Sequence, residues 1–275
     1  MTRAELIAQI KKKKSFLCVG LDPDPSKMPE MFRGSPDGVV DFCKQIIDVT
    51  KEYCVAYKPN IAFFEALGRK GWDILYQVAE YLPRDCFLIA DAKRADIGNS
   101  SRMYARAFFE EMQFDAVTVA PYMGSDSVMP FLEYEDKWTI LLALTSNKGS
   151  QDFQMISDDA GMPLHERVIR TASEWGTPGN LMFVIGATHP DMLSDVRKMA
   201  PDHFFLVPGV GAQGGDLQSV VKAALTDDVG LLINSTRAVI YASQGEDFAV
   251  KAGEKARDYR DEMASYLDLQ HSLQK

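Results

Sequence analysis

Asp91, Lys93 and Asp96 stand together where an apolar run, Cys86–Ala90, stops and a helix-like segment begins. A packed core has no use for three charges at such a junction, because each buried charge needs a partner or water. Catalysis does use them. Strand ends of this type are where α/β enzymes keep their chemistry. Other runs end in the same manner. Asp22 follows Phe16–Leu21, and Lys58, Pro59 and Asn60 follow Cys54–Tyr57. Thr145, Ser146 and Asn147 follow Thr139–Leu144. Pro208, Gly209, Val210, Gly211, Ala212, Gln213, Gly214, Gly215 and Asp216 follow Phe204–Val207, and Asn234, Ser235, Thr236 and Arg237 follow Gly230–Ile233. Glycines let backbone N–H groups approach an anion, Gln213 can donate its amide, and Arg237 can hold a phosphate in a bidentate fork. Taken singly, each feature has a plain alternative: an Asp after a strand is often a helix N-cap, a lysine a surface charge, a glycine run a tight turn. Convergence on one mouth is what gives them force.

That convergence requires a particular scaffold. Eight short apolar runs recur: the six named above with Ala116–Ala120 and Leu181–Ile185, which end more blandly in Pro121, Tyr122 and in Gly186, Ala187, Thr188. They are rich in Val, Ile, Leu and Phe and do not alternate with polar residues, as expected of parallel strands buried on both faces. Between them Val39–Lys51, Trp72–Leu82, Met103–Met112, Leu164–Trp175, Met192–Met199 and Gln218–Leu225 carry helical periodicity or composition. Alternating strands and helices imply right-handed βαβ units. Eight such units predict an α/β fold of the (β/α)8 TIM-barrel type, in one domain spanning residues 1–275. A doubly wound open sheet is the alternative, but Gly20, Leu21, Asp22, Pro23, Asp24 and Pro25 after the first strand do not form a G-x-G-x-x-G loop. Leu6, Ile7 and Ile10 predict an extra N-terminal helix capped by Thr2, and residues 247–269 a polar C-terminal helix with Tyr259, Met263, Tyr266 and Leu267 on one side. The long connections 22–36 and 146–163 would lie at the barrel mouth.

Composition narrows the function classes. A net charge of -9 and a pI of about 5.0 argue against a general nucleic-acid binder, yet leave room for a small anion held by a few placed cations. No run approaches the roughly 20 apolar residues of a membrane span, and the N-terminus lacks the apolar stretch of a signal peptide. Cys18, Cys43, Cys54 and Cys86 show no C-x-x-C spacing and are expected as buried free thiols in a reducing, cytoplasmic setting. His165, His189, His203 and His271 are scattered and form no metal-ligand motif.

The segment Asp91, Ala92, Lys93, Arg94, Ala95, Asp96, Ile97 resembles the D-x-K-x-x-D-I signature of the orotidine 5'-monophosphate decarboxylase family. The resemblance runs from about residue 15 to 245 and includes, in the family's order, Val19–Asp24, Tyr57–Asn60, Leu144–Asn147, Pro208–Gly215 and Asn234–Arg237. It is closest to the longer bacterial-type branch; the terminal helices carry no motif. It implies decarboxylation of orotidine 5'-monophosphate to uridine 5'-monophosphate, without metal or organic cofactor. It further implies that Lys93 donates the proton to C6, with Asp91, Asp96 and Lys58 as the other catalytic charges. Asp22 and Lys58 would touch the ribose hydroxyls, Ser146 the pyrimidine edge, and Gln213 and Arg237 the phosphate, with Asn60 and Thr145 close by. In the family the Asp96 position reaches into a neighbouring subunit's site, and Ser100 matches a residue that meets the ribose there. A two-fold homodimer with shared sites is therefore implied. The related 3-keto-L-gulonate 6-phosphate decarboxylase shares the D-x-K-x-x-D core but uses magnesium. Its chemistry calls for an acidic ligand after strand 2, where this chain has Lys58, Pro59 and Asn60. A barrel that senses a nucleotide phosphate without catalysis would have no need of the charge array.

Overall fold

A computed structural model of the chain describes residues 1–186, 190–210 and 216–273. The eight apolar runs all form strands: β1 (Leu17–Leu21), β2 (Ala56–Pro59), β3 (Phe87–Arg94), β4 (Ala116–Val119), β5 (Trp138–Leu144), β6 (Leu181–Ile185), β7 (Phe204–Pro208) and β8 (Leu231–Ser235). Each is parallel to its sequence neighbour, and β1 also pairs with β8, with Leu17 opposite Ile233. The sheet is thus a closed barrel, and the open-sheet alternative is excluded. Continuous apolar runs fit this closure, since one face of every strand fills the barrel interior and the other meets a helix.

Both terminal helices are present. The first, Arg3–Lys13, is held by a capping box in which Thr2 and Glu5 bond each other's backbone, and it buries Leu6 and Ile10. The last, Phe248–Leu273, packs against the helix Pro36–Thr50 and buries Phe248, Ala252, Ala256 and Met263. The expected helix over Met103–Met112 falls within a longer helical segment, α-helical over Gly98–Arg106 and π-helical over Ala107–Glu111. Phe108 and Phe109 in that turn are both buried. Short helices at Ile61–Glu65, Ser125–Leu132 and Arg237–Ile240 give too little periodicity to be seen in sequence. Cys18, Cys43, Cys54 and Cys86 are buried free thiols.

The two barrel ends differ in kind. At the N-terminal end the buried Arg197 guanidinium donates to the carbonyls of Ala224, Ala200, Pro201, His203 and Gly230 at 2.6–3.3 Å, fastening the starts of β7 and β8. That end reads as stability. The charged residues found by sequence lie at the other end.

Candidate active site at the barrel mouth

Lys58 on β2 and Asp91 on β3 are both buried, and Lys58 Nζ lies 2.5 Å from Asp91 Oδ2. Lys93, two residues further along β3 and half-exposed, places its Nζ 2.6 Å from Asp91 Oδ1. One carboxylate is therefore clasped between two ammonium groups. Burial alone would push the Asp91 carboxyl up, but the charges and hydrogen bonds of Lys58 and Lys93 overcome it and hold the group well below the usual carboxylate range. Burial likewise opposes the charged form of Lys58, and Asp91 and Asp22 outweigh it and raise the lysine. The arrangement is a preorganised cation beside an open mouth, with the anion held ionised.

The backbone contributes as well. Lys93 has φ +46°, in the left-handed region that costs an L-residue roughly 1–2 kcal/mol. The Thr118 hydroxyl of β4 accepts from the Lys93 backbone N–H at 2.9 Å and donates to Asp91 Oδ1 at 3.0 Å. Sequence reading passed over Thr118 because β4 ends blandly and a threonine inside an apolar strand carries no local signal.

Asp22 follows β1 and shares a cavity of about 200 Å³ with Lys58, Asn60, Asp91, Ser235, Thr236 and Arg237. It makes no ion pair with Lys58, although it lies close enough to raise the lysine. Within two of these lining residues, the buried atoms Asp22 Oδ1 and Ser235 Oγ have no hydrogen-bond partner. Burial pushes the Asp22 carboxyl up, against the opposing pull of Lys58. The Asp22 loop is clamped by Tyr241, whose hydroxyl donates to the Asp22 carbonyl at 2.7 Å and accepts from Asp24 N at 2.7 Å. Gly20 makes room below: a Cβ there would stand 1.9 Å from Thr236 Oγ1, so only glycine lets β1 and the end of β8 approach this closely. Arg237 opens the short helix after β8; it is exposed and makes no ion pair among the described residues.

A group with a raised folded-state pKa stabilises the fold below its unfolded value, about 3.9 for Asp, and loses that contribution as pH rises through the folded value. Ionised Asp22 is thus unfavourable in the unliganded protein at neutral pH. We predict that Asp22→Asn raises stability at pH 7 by about 1 kcal/mol, the cost of burying an unsatisfied charged rather than neutral group. The gain should vanish near pH 3. Urea unfolding at both pH values checks this, and an equal gain at both would contradict it.

The remaining expected residues divide. Asn60 extends the β2–β3 ladder by a bridge to Asp91 and caps the helix that follows through Ala62 N. Asp96 lies just past β3, half-buried; its Oδ1 accepts from Ile97 N, and it makes no ion pair with Lys93 of its own chain. Ser100 is exposed on the first turn of the helix Gly98–Arg106. Thr145 and Ser146 follow β5. A Cβ at Gly186 would meet Ser146 N at 2.7 Å, so glycine at the end of β6 gives Ser146 its place. The long 146–163 loop is ordered by Gln154, whose Oε1 accepts from Thr145 N at 2.8 Å and whose Nε2 donates to Thr145 Oγ1 at 2.9 Å. Gln213 lies outside the described residues. Among the described residues no group of three or more His, Cys, Asp and Glu side chains is arranged to hold a metal ion.

A closed parallel barrel with ionised groups and an anion-suited arginine at its C-terminal mouth belongs to the class of (β/α)8-barrel enzymes, which work from their strand ends. Within that class, the chain belongs to the orotidine 5'-phosphate decarboxylase / HUMPS family, whose family model matches residues 15–252. It is 55% identical over 271 residues to the orotidine 5'-phosphate decarboxylase of Christiangramia forsetii, covering 98% of this chain and 99% of that one. It is 53% identical over 270 residues to that of Phocaeicola vulgatus, covering 97% and 99%. Among solved structures, Leishmania donovani OMP decarboxylase superposes with a TM-score of 0.82 at 37% identity, covering 96% of this chain and 99% of that one. Leishmania donovani UMP synthase superposes with a TM-score of 0.81 at 40% identity over 93% of this chain, which spans 56% of that longer protein.

Proposed function

We propose that this protein is a carboxy-lyase that converts orotidine 5'-monophosphate to uridine 5'-monophosphate, the last step of uridylate synthesis, in a single barrel domain. The observation that carries it is the Lys58–Asp91–Lys93 ion-pair chain at the mouth of a barrel whose close relatives are named for this reaction. The sugar-phosphate reading is the weaker one, because Lys58 occupies the place its metal chemistry would give to an acid.

The bond from C6 to the carboxylate breaks, CO2 leaves, and the electron pair stays at C6. Lys93 stabilises that developing carbanion and then gives it a proton; water restores the lysine. The ammonium is held in place before the reaction, so little reorganisation accompanies the charge shift. Asp91 faces the substrate carboxylate and aims the cation. Asp22 and Lys58, which line the cavity, take the ribose hydroxyls. Ser146 binds the pyrimidine edge beside Thr145 and Asn60. Arg237 and Gln213 take the phosphate, far from C6, and that remote binding energy organises the site.

Asp96 and Ser100 serve the neighbouring subunit of a two-fold homodimer. Support comes from the exposed apolar residues on consecutive mouth loops, Ile97, Tyr122, Met123, Phe153 and Ile156, which a partner would cover. No helix among the described residues is long and apolar enough to cross a membrane. We place the enzyme in the cytoplasm, with a nucleotide rather than nucleic acid as its ligand. The chemistry needs no metal and no organic cofactor. Loss of orotidylate absorbance should proceed at an unchanged rate in buffer containing a strong chelator. A chelator-sensitive rate would remove the cofactor-free scheme, and no turnover of orotidylate at all would remove the decarboxylase reading.

A further inference from the structure

Thr118 stands on β4, 1% exposed, beside the ion-pair chain. Its hydroxyl oxygen is 2.9 Å from the Lys93 backbone nitrogen and 3.0 Å from Asp91 Oδ1. Chemistry settles the direction of both bonds. A backbone N–H only donates, so Thr118 accepts from Lys93; an ionised carboxylate only accepts, so the single hydroxyl proton goes to Asp91. The hydroxyl has no rotational freedom left.

Register explains why such a residue is needed. Ala90 pairs with Val117 and Arg94 with Val119, so β3 spends more residues than β4 between the two pairs. Three residues, Asp91, Ala92 and Lys93, stand opposite Thr118 alone, so regular β3–β4 ladder bonds are lost there and a buried N–H must find another acceptor. Lys93 also turns through φ +46°. A non-glycine residue keeps that conformation only where its surroundings over-determine it. Thr118 is the acceptor that meets the turned backbone. The same hydroxyl also completes Asp91: Oδ1 receives Thr118 and the Lys93 ammonium, while Oδ2 receives the Lys58 ammonium. Three donors on two oxygens fix the carboxylate plane.

We propose that Thr118 is a positioning residue for the decarboxylation, its one hydroxyl fixing both the backbone that carries the Lys93 ammonium and the carboxylate that aims it. The inference rests on the reading of Lys93 as the proton donor. Thr118 is buried, and its hydroxyl is spent on Lys93 and Asp91 rather than offered to a ligand. Its loss should therefore fall on the chemical step and spare binding.

The test compares Thr118→Val, which keeps the branched shape without the hydroxyl, with Thr118→Ser, which keeps the hydroxyl without the methyl. A misplacement of about 1 Å costs on the order of 100-fold in rate, so kcat of T118V should fall roughly 30- to 100-fold with KM changed less than about threefold. T118S should return to within about fivefold of the wild-type kcat, because it restores both hydrogen bonds. Thr118→Ala gives the same readout as T118V should the valine variant fail to fold. A kcat for T118V or T118A close to wild type, a serine variant as poor as the valine, or an effect confined to KM or to the melting temperature would each overturn the proposal. Wild-type protein inert towards orotidylate would instead overturn the decarboxylase reading, and this inference with it. An active wild type with indifferent Thr118 variants overturns this inference alone.

Discussion

Lys93→Ala should lower kcat for orotidylate by about 10⁴-fold or more while the barrel stays folded. Two effects are lost together. A positioned general acid contributes typically about 10²- to 10⁴-fold, and removing a preorganised charge from the reacting centre costs about 10²- to 10³-fold. The fold survives for a structural reason. Asp91 keeps Lys58 and Thr118 as partners, so deletion of Lys93 leaves no buried carboxylate unpaired. Lys93 itself is half-exposed, and Lys58 remains to hold Asp91 ionised once Lys93 is gone. The melting temperature should therefore move by no more than a few degrees. Single-turnover measurement of CO2 release decides the matter, and near-normal decarboxylation would sink the assignment of the proton donor.

The same variant tests whether the site is shared between two subunits. If each mouth takes Lys93 from one chain and Asp96 from the other, a hybrid of Lys93→Ala and Asp96→Ala subunits carries one intact site and one doubly altered site. Random mixing of the two inactive proteins should then restore roughly a quarter of wild-type activity, the share set by two-fold symmetry. No recovery after verified subunit exchange would place Asp96 in its own chain's site. The absence of an ion pair between Asp96 and Lys93 within this chain agrees with the expected outcome.

Arg237→Ala should act differently, on binding. The residue is exposed at the cavity rim and makes no ion pair among the described residues, so its removal breaks none of those contacts. A bidentate, charge-assisted contact to phosphate is worth about 2–3 kcal/mol once partly desolvated. Affinity for uridine 5'-monophosphate should fall roughly 30- to 200-fold, while affinity for uridine, which has no phosphate, should be unchanged. Calorimetric titration with both ligands separates these outcomes. Equal weakening of nucleotide and nucleoside would show a disturbed cavity rather than a lost phosphate contact. Phosphate is remote from C6, so part of the loss should appear in kcat as well as in KM.

These outcomes depend on different levels of the molecule. The barrel was legible in the chain because strands buried on both faces must be apolar throughout, and eight such runs alternate with helical segments. The charged strand ends were legible because Asp91, Lys93, Lys58, Asp22 and Arg237 break those runs abruptly. Residue type at a boundary is local information, and parallel closure brings every such boundary to one end. The anion-suited rim could be inferred for the same reason.

Tertiary structure alone decided how the charges meet. It put both ammonium groups on the two oxygens of Asp91 and left Asp22 near Lys58 without an ion pair. It turned Lys93 into a left-handed conformation and supplied Thr118 from the adjacent strand to hold it. It also bound the Asp22 loop to Tyr241 and the 146–163 loop to Thr145 through Gln154. Threonine, tyrosine and glutamine are ordinary at those positions, and their partners lie 25, 219 and 9 residues away in sequence. Hydrogen-bond geometry depends on which atoms come within about 3 Å after folding, and no pattern of residue types along the chain encodes that.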